Sequence, residues 1–337
     1  MSKKIKSIIC FLVILLANLC VQMQAETVHI LMPVFNTEQY LCASLESVFT
    51  QSYEDIRLIV YNDGSTDGSC QILENYQDRF SKQLVLLQSP INQGISHARK
   101  CLLEHSQMLD SNAMILWLDS DDCYIDREFI EKFVRQMQKT GAQICLFNFD
   151  IVLEDETQIG NINGLLKERE VSAQILDNIQ KFPTQVILPG DLPSIMGFTS
   201  LGWTKGYHQI TFPQPAMCPY EDFAYMAALL NASKITAFAS DYKPIRYLRR
   251  SNSITGKRSA ATFEAVLTQL QMFVDQVDAD KKIIYHDMVT SFVQRKIEQY
   301  ENLLIQLISA KQHLDLSEET LEVYRKRSAQ LLFDFKN

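Results

Sequence analysis

Short apolar runs alternate with amphipathic stretches through the first half of the chain. The apolar runs predict buried strands, and the stretches between them repeat apolar residues at the spacing of a helix. We predict strands over 27–34, 56–61, 84–87, 114–118 and 143–153, and helices over 38–51, 67–80, 93–107 and 126–140. Strands that alternate with helices indicate an α/β fold, in which a mostly parallel sheet carries helices on both faces.

The pattern changes twice in the second half of the chain. Several prolines interrupt it between 154 and 255, and irregular segments of this kind often form loops that cover a substrate. From 256 onward the periodicity predicts helices, over 260–277, 281–311 and 317–335. We therefore divide the chain into a leader (1–25), an α/β domain (26–255, with halves 26–153 and 154–255) and a helical C-terminal region (256–337).

The leader has a basic start, an apolar stretch over 8–21 and a small residue, Ala25, before Glu26. This order is typical of a signal peptide, although Met23 is larger than the cleavage site prefers and the stretch is short for a bilayer span. An uncleaved membrane anchor through residues 5–21 and a translation start at Met23 are the alternatives.

The length, net charge and cysteine spacing of the chain limit its domain organisation, the kind of partner it binds and the cellular compartment in which it is expected. The chain of 337 residues is long enough for one large α/β domain with an appendage. A net charge of −8 and a pI near 5.3 exclude nucleic acid as the main partner, because phosphate binding needs a basic face. The eight cysteines form no CxxC pair, which favours buried thiols and a reducing compartment. We expect a membrane-associated protein with its α/β domain in the cytoplasm, or a secreted or periplasmic protein if the leader is cleaved.

Three carboxylates follow the apolar run over 113–118, in the sequence Asp119-Ser120-Asp121-Asp122. Unpaired charge is too costly to bury, so these residues are expected at the end of the strand, where open α/β sheets bind ligands. Clustered carboxylates there suit a hard divalent cation such as Mg²⁺ or Mn²⁺. A solvated turn that caps the next helix explains the same residues equally well.

Four other polar segments could carry chemistry, and each also has an ordinary structural explanation. Asn62-Asp63-Gly64-Ser65 is a good turn, in which Asp63 could bind a nucleobase or ribose. The segment over 92–99 opens a helix, where Arg99 could meet an anion. Tyr220-Glu221-Asp222 opens another helix, where a carboxylate could act as a general base. Arg249-Arg250 begins a basic loop that could bind a pyrophosphate.

Taken in order, these segments resemble the family 2 glycosyltransferases, which have the GT-A fold. The resemblance covers about 27–255 and rests on the following residues: Pro33-Val34-Phe35-Asn36, Asn62-Asp63-Gly64-Ser65-Thr66-Asp67, Asn92, Gly94, Ser96, Arg99, Leu118-Asp119-Ser120-Asp121-Asp122, Trp203-Thr204-Lys205, Tyr220-Glu221-Asp222 and Ser253-Ile254-Thr255. It implies a GT-A-like, Rossmann-like sheet followed by the helical C-terminal region. This chain departs from the common family pattern at Phe35, Lys100 and Thr204.

The resemblance also implies roles for individual residues. Phe35 would stack near the nucleobase, while Asp63, Arg99 and Asp119 would contact base or ribose. The whole donor-binding set is Pro33, Phe35, Asn36, Asp63, Asn92, Gly94, Arg99, Asp119 and Arg249. Asp121, together with Asp122, would hold Mn²⁺ or Mg²⁺ on the diphosphate. Asp222, or else Glu221, would deprotonate the acceptor hydroxyl.

We therefore expect a metal-dependent, inverting glycosyltransferase with a nucleotide-sugar donor, UDP-sugars being favoured. The acceptor would be a hydroxyl of a sugar, a glycolipid or a protein, in glycan or glycoconjugate synthesis. A nucleotidyltransferase of similar fold is one alternative, but it predicts a Gly-rich basic loop after the first strand, and residues 33–37 contain neither Gly nor Lys. A non-catalytic glycosyltransferase-like binding module is the other alternative.

Overall fold

The computed structural model describes residues 26–141, 144–146, 149–153, 201–203, 237–239, 242–250, 260–278, 286–309 and 316–336. The strands in these ranges are β1 (Val28–Val34), β2 (Ile56–Asp63), β3 (Leu84–Ser89), β4 (Met114–Trp117), β5 (Cys123–Tyr124), β6 (Ile144–Leu146), β7 (Phe149–Leu153), β8 (Leu201–Trp203), β9 (Ala237–Ala239) and β10 (Ile245–Arg249). The helices are α1 (Glu38–Phe49), α2 (Ser69–Arg79), α3 (Ile95–Leu109), α4 (Phe129–Thr140), α5 (Ala260–Gln276), α6 (His286–Ser309) and α7 (Glu318–Lys336).

The main sheet has the strand order β3-β2-β1-β4-β8-β6-β9. The first four strands of this order are parallel, whereas β8 is antiparallel to both of its neighbours. The strand order reverses at β1, because the chain adds β2 and β3 on one side and β4 on the other. Open α/β sheets bind ligands at the carboxyl ends of the strands beside such a reversal.

Helices cover both faces of the parallel strands, as the strand–helix alternation predicts. All seven residues of β1 are buried, since a central parallel strand has no solvent-exposed face. On one face Ile30 and Met32 belong to the same apolar cluster as Leu41 and Leu45 of α1. On the other face α3 packs on β1 and β2. Burying each such aliphatic side chain contributes about 1.5–3 kcal/mol to folding.

The predicted single strand over 143–153 is wrong. The structure divides it into β6, which belongs to the main sheet, and β7, which belongs to a second sheet with the order β5-β10-β7. The apolar pattern alone does not show the division, because both parts are apolar and the change of sheet depends on distant partners. β6 lies between β8 and β9, while β7 pairs in parallel with β10.

The C-terminal helices confirm the predicted helical region. Tyr324 of α7 donates a hydrogen bond to the carbonyl of Ile297 in α6, at 3.2 Å. Its ring also packs edge-on against Phe263 of α5, with ring centroids 6.2 Å apart. An ion pair between Arg327 and Glu264 adds a second link between α7 and α5. In the described ranges no helix is both long and apolar enough to cross a bilayer.

Candidate active site

The loops after β1 and β2 are joined by side-chain hydrogen bonds to backbone groups. Asn36 accepts a bond from the backbone N–H of Thr66 at 2.8 Å, and its own N–H donates to the Ser65 hydroxyl at 3.1 Å. Asn36 has a φ of 53°, a left-handed conformation that asparagine tolerates better than most residues. Asn36 therefore shapes the loop that precedes α1, and Phe35 beside it is left 42% exposed. An exposed ring at the end of a central strand is free to stack on a planar ligand.

Asp63 binds the loop that opens α3. Its two carboxylate oxygens accept hydrogen bonds from the backbone N–H groups of Gln93, at 2.9 Å, and Gly94, at 2.7 Å. These bonds satisfy donors at the start of a helix, which have no partner within the helix. The structure thus brings together three members of the predicted donor-binding set, Asp63, Asn92 and Gly94. The buried side-chain oxygen of Asn92 accepts no hydrogen bond from the described residues.

Gly64 allows this close approach between the two loops. It has a φ of +68°, and a Cβ at this position would lie 2.5 Å from the carbonyl carbon of Ile91 and 2.7 Å from the nitrogen of Asn92. Both clashing atoms belong to backbone, so no side chain can turn away to make room. The glycine in the Asn62-Asp63-Gly64-Ser65 segment is therefore required by the packing of the loops as well as by its φ.

Arg99 and Asp119, which the sequence analysis assigned to the donor, form an ion pair. The Arg99 Nη2 lies 2.9 Å from the Asp119 Oδ1. The Arg99 guanidinium is buried on α3 and lies over the ring of Trp117, 5.2 Å from the ring centroid. Pairing and ring contact compensate for the cost of burying the charge. Asp119 is more exposed than Arg99, so its carboxylate is the part of the pair that a ligand can reach.

Asp121 forms a second and tighter ion pair, with Arg250. The Arg250 Nε and Nη2 lie 2.7 and 2.6 Å from the same oxygen, Asp121 Oδ2. The side chains are 15% exposed for Arg250 and 16% for Asp121. Burial raises the pKa of the Asp121 carboxyl, Arg250 opposes this shift, and the nearby Asp119 adds to it. A buried carboxylate at this edge therefore depends on a positive partner to stay ionised.

Asp122 differs from Asp121 in its surroundings. It is 1% exposed, and its Oδ1 accepts a hydrogen bond from the backbone N–H of Leu248 at 2.9 Å. This bond attaches β10 to the loop after β4 and places Arg250, two residues further on, beside Asp121. Asp122 as a metal ligand stays a prediction, but its contacts in the structure are those of a residue that anchors a strand.

Hydroxyl groups connect the loop after β1 to the acidic segment. The Thr37 hydroxyl donates to the Ser120 hydroxyl at 3.0 Å, and the Thr37 backbone N–H donates to the Ser69 hydroxyl at 3.1 Å. All three residues are buried. Ser120 lies between Asp119 and Asp121, so its bond to Thr37 fixes the turn that carries both carboxylates. The sequence analysis missed Thr37, because nothing local distinguishes it from an ordinary residue before a helix.

The remaining predicted site residues lie within β1, at the end of β10 or outside the described residues. Pro33 is buried in β1 opposite Tyr61 of β2. Arg249 ends β10, where its backbone pairs with Leu153. Asp222 and Glu221, the predicted bases, and the leader over 1–25 lie outside the described residues.

The acidic segment does not form a closed metal site in the described part of the chain, where no three His, Cys, Asp or Glu side chains converge. The acidic segment nonetheless has the chemistry of a site for a hard cation, because Asp121 Oδ2 already lies against a positive group, the guanidinium of Arg250. One or two carboxylates with oxygens from a phosphate are the usual surroundings of Mg²⁺ at such sites.

Comparison with known proteins shows the family. The family model described as "Glycosyl transferase family 2" matches residues 29–211, more than half of the chain. The chain belongs to glycosyl transferase family 2. The predicted resemblance is therefore confirmed, and with it the class of the chain as a glycosyltransferase enzyme.

Two curated relatives match parts of the chain. Glycosyltransferase GlyA of Streptococcus pneumoniae is 31% identical over 131 residues, which are 39% of this chain and 18% of GlyA. A glycosyltransferase of Haemophilus influenzae is 41% identical over 110 residues, which are 33% of this chain and 42% of that protein. The matched segment thus spans less than half the length of either relative.

The fold is similar to that of a solved structure along nearly the whole chain. S. aureus TarS 1-349, solved in complex with UDP, matches with a TM-score of 0.59 at 16% identity, and the match covers 92% of this chain and 90% of that one. At this identity the match shows the fold alone, and it confirms the predicted GT-A-like architecture with a helical C-terminal region.

Proposed function

We propose that this family 2 member transfers a sugar from a nucleotide-sugar donor to a hydroxyl acceptor, with inversion at the anomeric carbon. One observation supports the proposal: hydrogen bonds and an ion pair join the loops after β1, β2 and β4 to one another and to α3, at the carboxyl edge of the sheet. These segments carry Asn36, Asp63, Gly94, Arg99 and Asp119 of the predicted donor-binding set. This edge lies at the reversal of strand order, where α/β sheets bind nucleotides. The solved complexes of TarS with UDP and with UDP-GlcNAc support a UDP-sugar as the donor.

The proposed roles follow from exposure and charge. Phe35, 42% exposed, would stack on the nucleobase, and Asn92 would be a further donor-binding residue. Asp119 is held by Arg99 with its more exposed face available to the ribose hydroxyls. Asp63 supports this site by holding the Gln93 and Gly94 backbone in place.

Asp121 would hold Mn²⁺ or Mg²⁺ against the donor diphosphate. A divalent cation there would offset the negative charge that grows on the departing nucleoside diphosphate. Asp222, with Glu221 as the alternative, would remove the proton from the acceptor hydroxyl, which is a weak nucleophile while protonated. Inversion requires this base on the face of the sugar opposite the leaving group, so the base must come from a segment other than the one with Asp121.

Binding of the donor is tested by thermal shift of the full chain with a panel of nucleotide sugars and Mn²⁺, because a ligand that binds the native state raises apparent stability. We expect a UDP-sugar to give the largest shift, and D121A to abolish its metal-dependent part. D78A, which removes an exposed carboxylate on α2, is the matched control. A D121A protein that retains the full metal-dependent shift would contradict the metal assignment.

Turnover is tested by following the products. We expect release of nucleoside diphosphate from the donor and a product whose anomeric configuration, read by NMR, is the inverse of the donor's. D222N should retain donor binding and lose transfer, and if it does not, E221Q is the next variant. Pyrophosphate release from a nucleoside triphosphate would indicate a nucleotidyltransferase instead, and binding without turnover of any donor would indicate a binding module.

A further inference from the structure

Arg250 holds the carboxylate that the proposed function assigns to a cation. Both of its nitrogens contact Asp121 Oδ2, at 2.7 and 2.6 Å. A guanidinium and a divalent cation cannot share one carboxylate oxygen at these distances, because two positive charges would lie within a few ångströms of each other in a half-buried site. Binding of a cation at Asp121 Oδ2 therefore requires Arg250 to leave this oxygen.

The protein holds Arg250 in this position by more than the ion pair. The hydrogen bond from Leu248 to Asp122 attaches the end of β10 to the acidic segment. The Arg250 guanidinium also lies over the ring of Tyr40 in α1, 5.2 Å from the ring centroid. An arginine supported by a strand end and an aromatic ring is part of a built site rather than a surface side chain that happens to find a carboxylate.

A nucleotide-sugar donor would bring a group that competes for Arg250. The planar guanidinium matches phosphate oxygens as well as carboxylate oxygens, and it binds either in bidentate geometry. We propose that Arg250 exchanges partners: it neutralises Asp121 in the donor-free protein and moves to the donor diphosphate when a cation takes its place at Asp121. This inference rests on the proposed function and adds the order in which its components bind.

The exchange of partners by Arg250 couples the binding of the cation to the binding of the donor diphosphate. A cation alone must displace Arg250 without offering the guanidinium a new partner, so it binds weakly. A cation that arrives with a diphosphate offers that partner, so each ligand strengthens the binding of the other, and the coupling is reciprocal. Arg250 would therefore prevent the site from filling with metal before the donor is present.

Titration calorimetry on the full chain tests the exchange. The titrants are Mn²⁺ alone, UDP in EDTA and UDP with Mn²⁺, and the variants are R250M, R250K and R246M. R246M is the matched control, because Arg246 is an exposed arginine on β10, four residues before Arg250, and its loss changes the net charge equally. With R250M we expect Mn²⁺ alone to bind about tenfold more tightly and UDP in EDTA to bind about tenfold more weakly, the effect of one charge-assisted contact.

The outcomes separate this inference from the function on which it rests. Unchanged Mn²⁺ affinity in R250M, or equal changes in R250M and R246M, would overturn the exchange while leaving metal-dependent donor binding intact. A wild-type protein that binds no nucleotide with any divalent cation would overturn both. Should R250M fail to fold, R250K decides the matter. Lysine retains the charge but cannot contact Asp121 through two nitrogens, so we expect shifts of about threefold in the same directions. R250K affinities equal to those of the wild type would overturn the exchange.

Discussion

The carboxylate of Asp63 lies 2.7 Å from the backbone nitrogen of Gly94, across thirty-one positions of sequence. This contact joins the end of β2 to the start of α3. The other carboxylate oxygen of Asp63 accepts a second hydrogen bond, from the backbone N–H of Gln93. A single acidic side chain thus fixes the position of the N-terminal end of α3 relative to the sheet.

Replacement of Asp63 by asparagine should damage both stability and donor binding. The amide would turn an N–H₂ group toward one of the two backbone donors, leaving it without an acceptor in a buried site. We expect D63N to lose about 1–3 kcal/mol of unfolding free energy and to bind UDP more weakly. Urea unfolding and calorimetry measure the two effects. D78N, on the exposed surface of α2, is the control, and a D63N protein as stable as D78N would show that the contact is dispensable.

Gly64 and Gly141 form a natural pair for separating backbone strain from steric clash. They have nearly the same φ, +68° and +63°, but a Cβ at Gly64 would meet backbone at 2.5 Å, whereas one at Gly141 would meet nothing within 4 Å. We expect G141A to cost about 1 kcal/mol for the conformation alone, and G64A to cost about 1–3 kcal/mol more, because adjoining backbone must move. Chemical denaturation of both variants measures the difference, and equal losses would refute the clash.

Thr37 should matter to the acidic segment although it carries no charge. T37V retains the shape of the side chain but leaves the buried Ser120 hydroxyl without its 3.0 Å partner. We expect the affinity for UDP with Mn²⁺ to fall about fivefold, equivalent to about 1 kcal/mol, while T37S retains it. T50V provides the comparison, because Thr50 is exposed and its hydroxyl bonds only within α1 and its cap. Equal nucleotide affinities in T37V and T37S would remove the positioning role.

His29 should make the protein sensitive to mild acid. Burial in β1 lowers the pKa of His29 from 6.5 to about 4, opposed by the charge of Asp110. The unfolded chain then binds more protons than the folded one between these values, so the free energy of unfolding falls as pH falls from 6.5 toward 4. The loss reaches about 3 kcal/mol at the lower end of this window.

Removing the histidine tests this assignment. The His29 Nδ1 lies 2.8 Å from the Ser106 hydroxyl, so H29L/S106A removes the ring without leaving that hydroxyl unpaired. Urea unfolding at several pH values should show a shallower slope in the double variant than in the wild type. S106A alone retains the ring and its burial, so it should retain the wild-type slope. An identical slope in the double variant would assign the acid sensitivity to other groups.

Local patterns in the chain were sufficient for the order of elements from β1 to β4, for the α/β class and for the acidic segment after β4. These features follow from spacing and composition within a few residues of each other, since the side chains of a strand or a helix face are set by a fixed period. The sequence also predicted that Arg99 and Asp119 belong to one site, because the ends of parallel strands and the starts of the helices that follow them lie at the same edge of the sheet.

The partners of the charged residues depended on the folded chain. Asp121 and Asp122 are neighbours in sequence, yet one meets the guanidinium of Arg250 and the other the backbone of Leu248. Arg250 reaches Asp121 because the hydrogen bond from Leu248 to Asp122 places the end of β10 beside the acidic segment. The division of 143–153 between two sheets has the same origin. Each of these contacts joins segments that are far apart in the chain. Packing and charge in the folded protein select such contacts, and the local periodicity of the sequence carries no information about them.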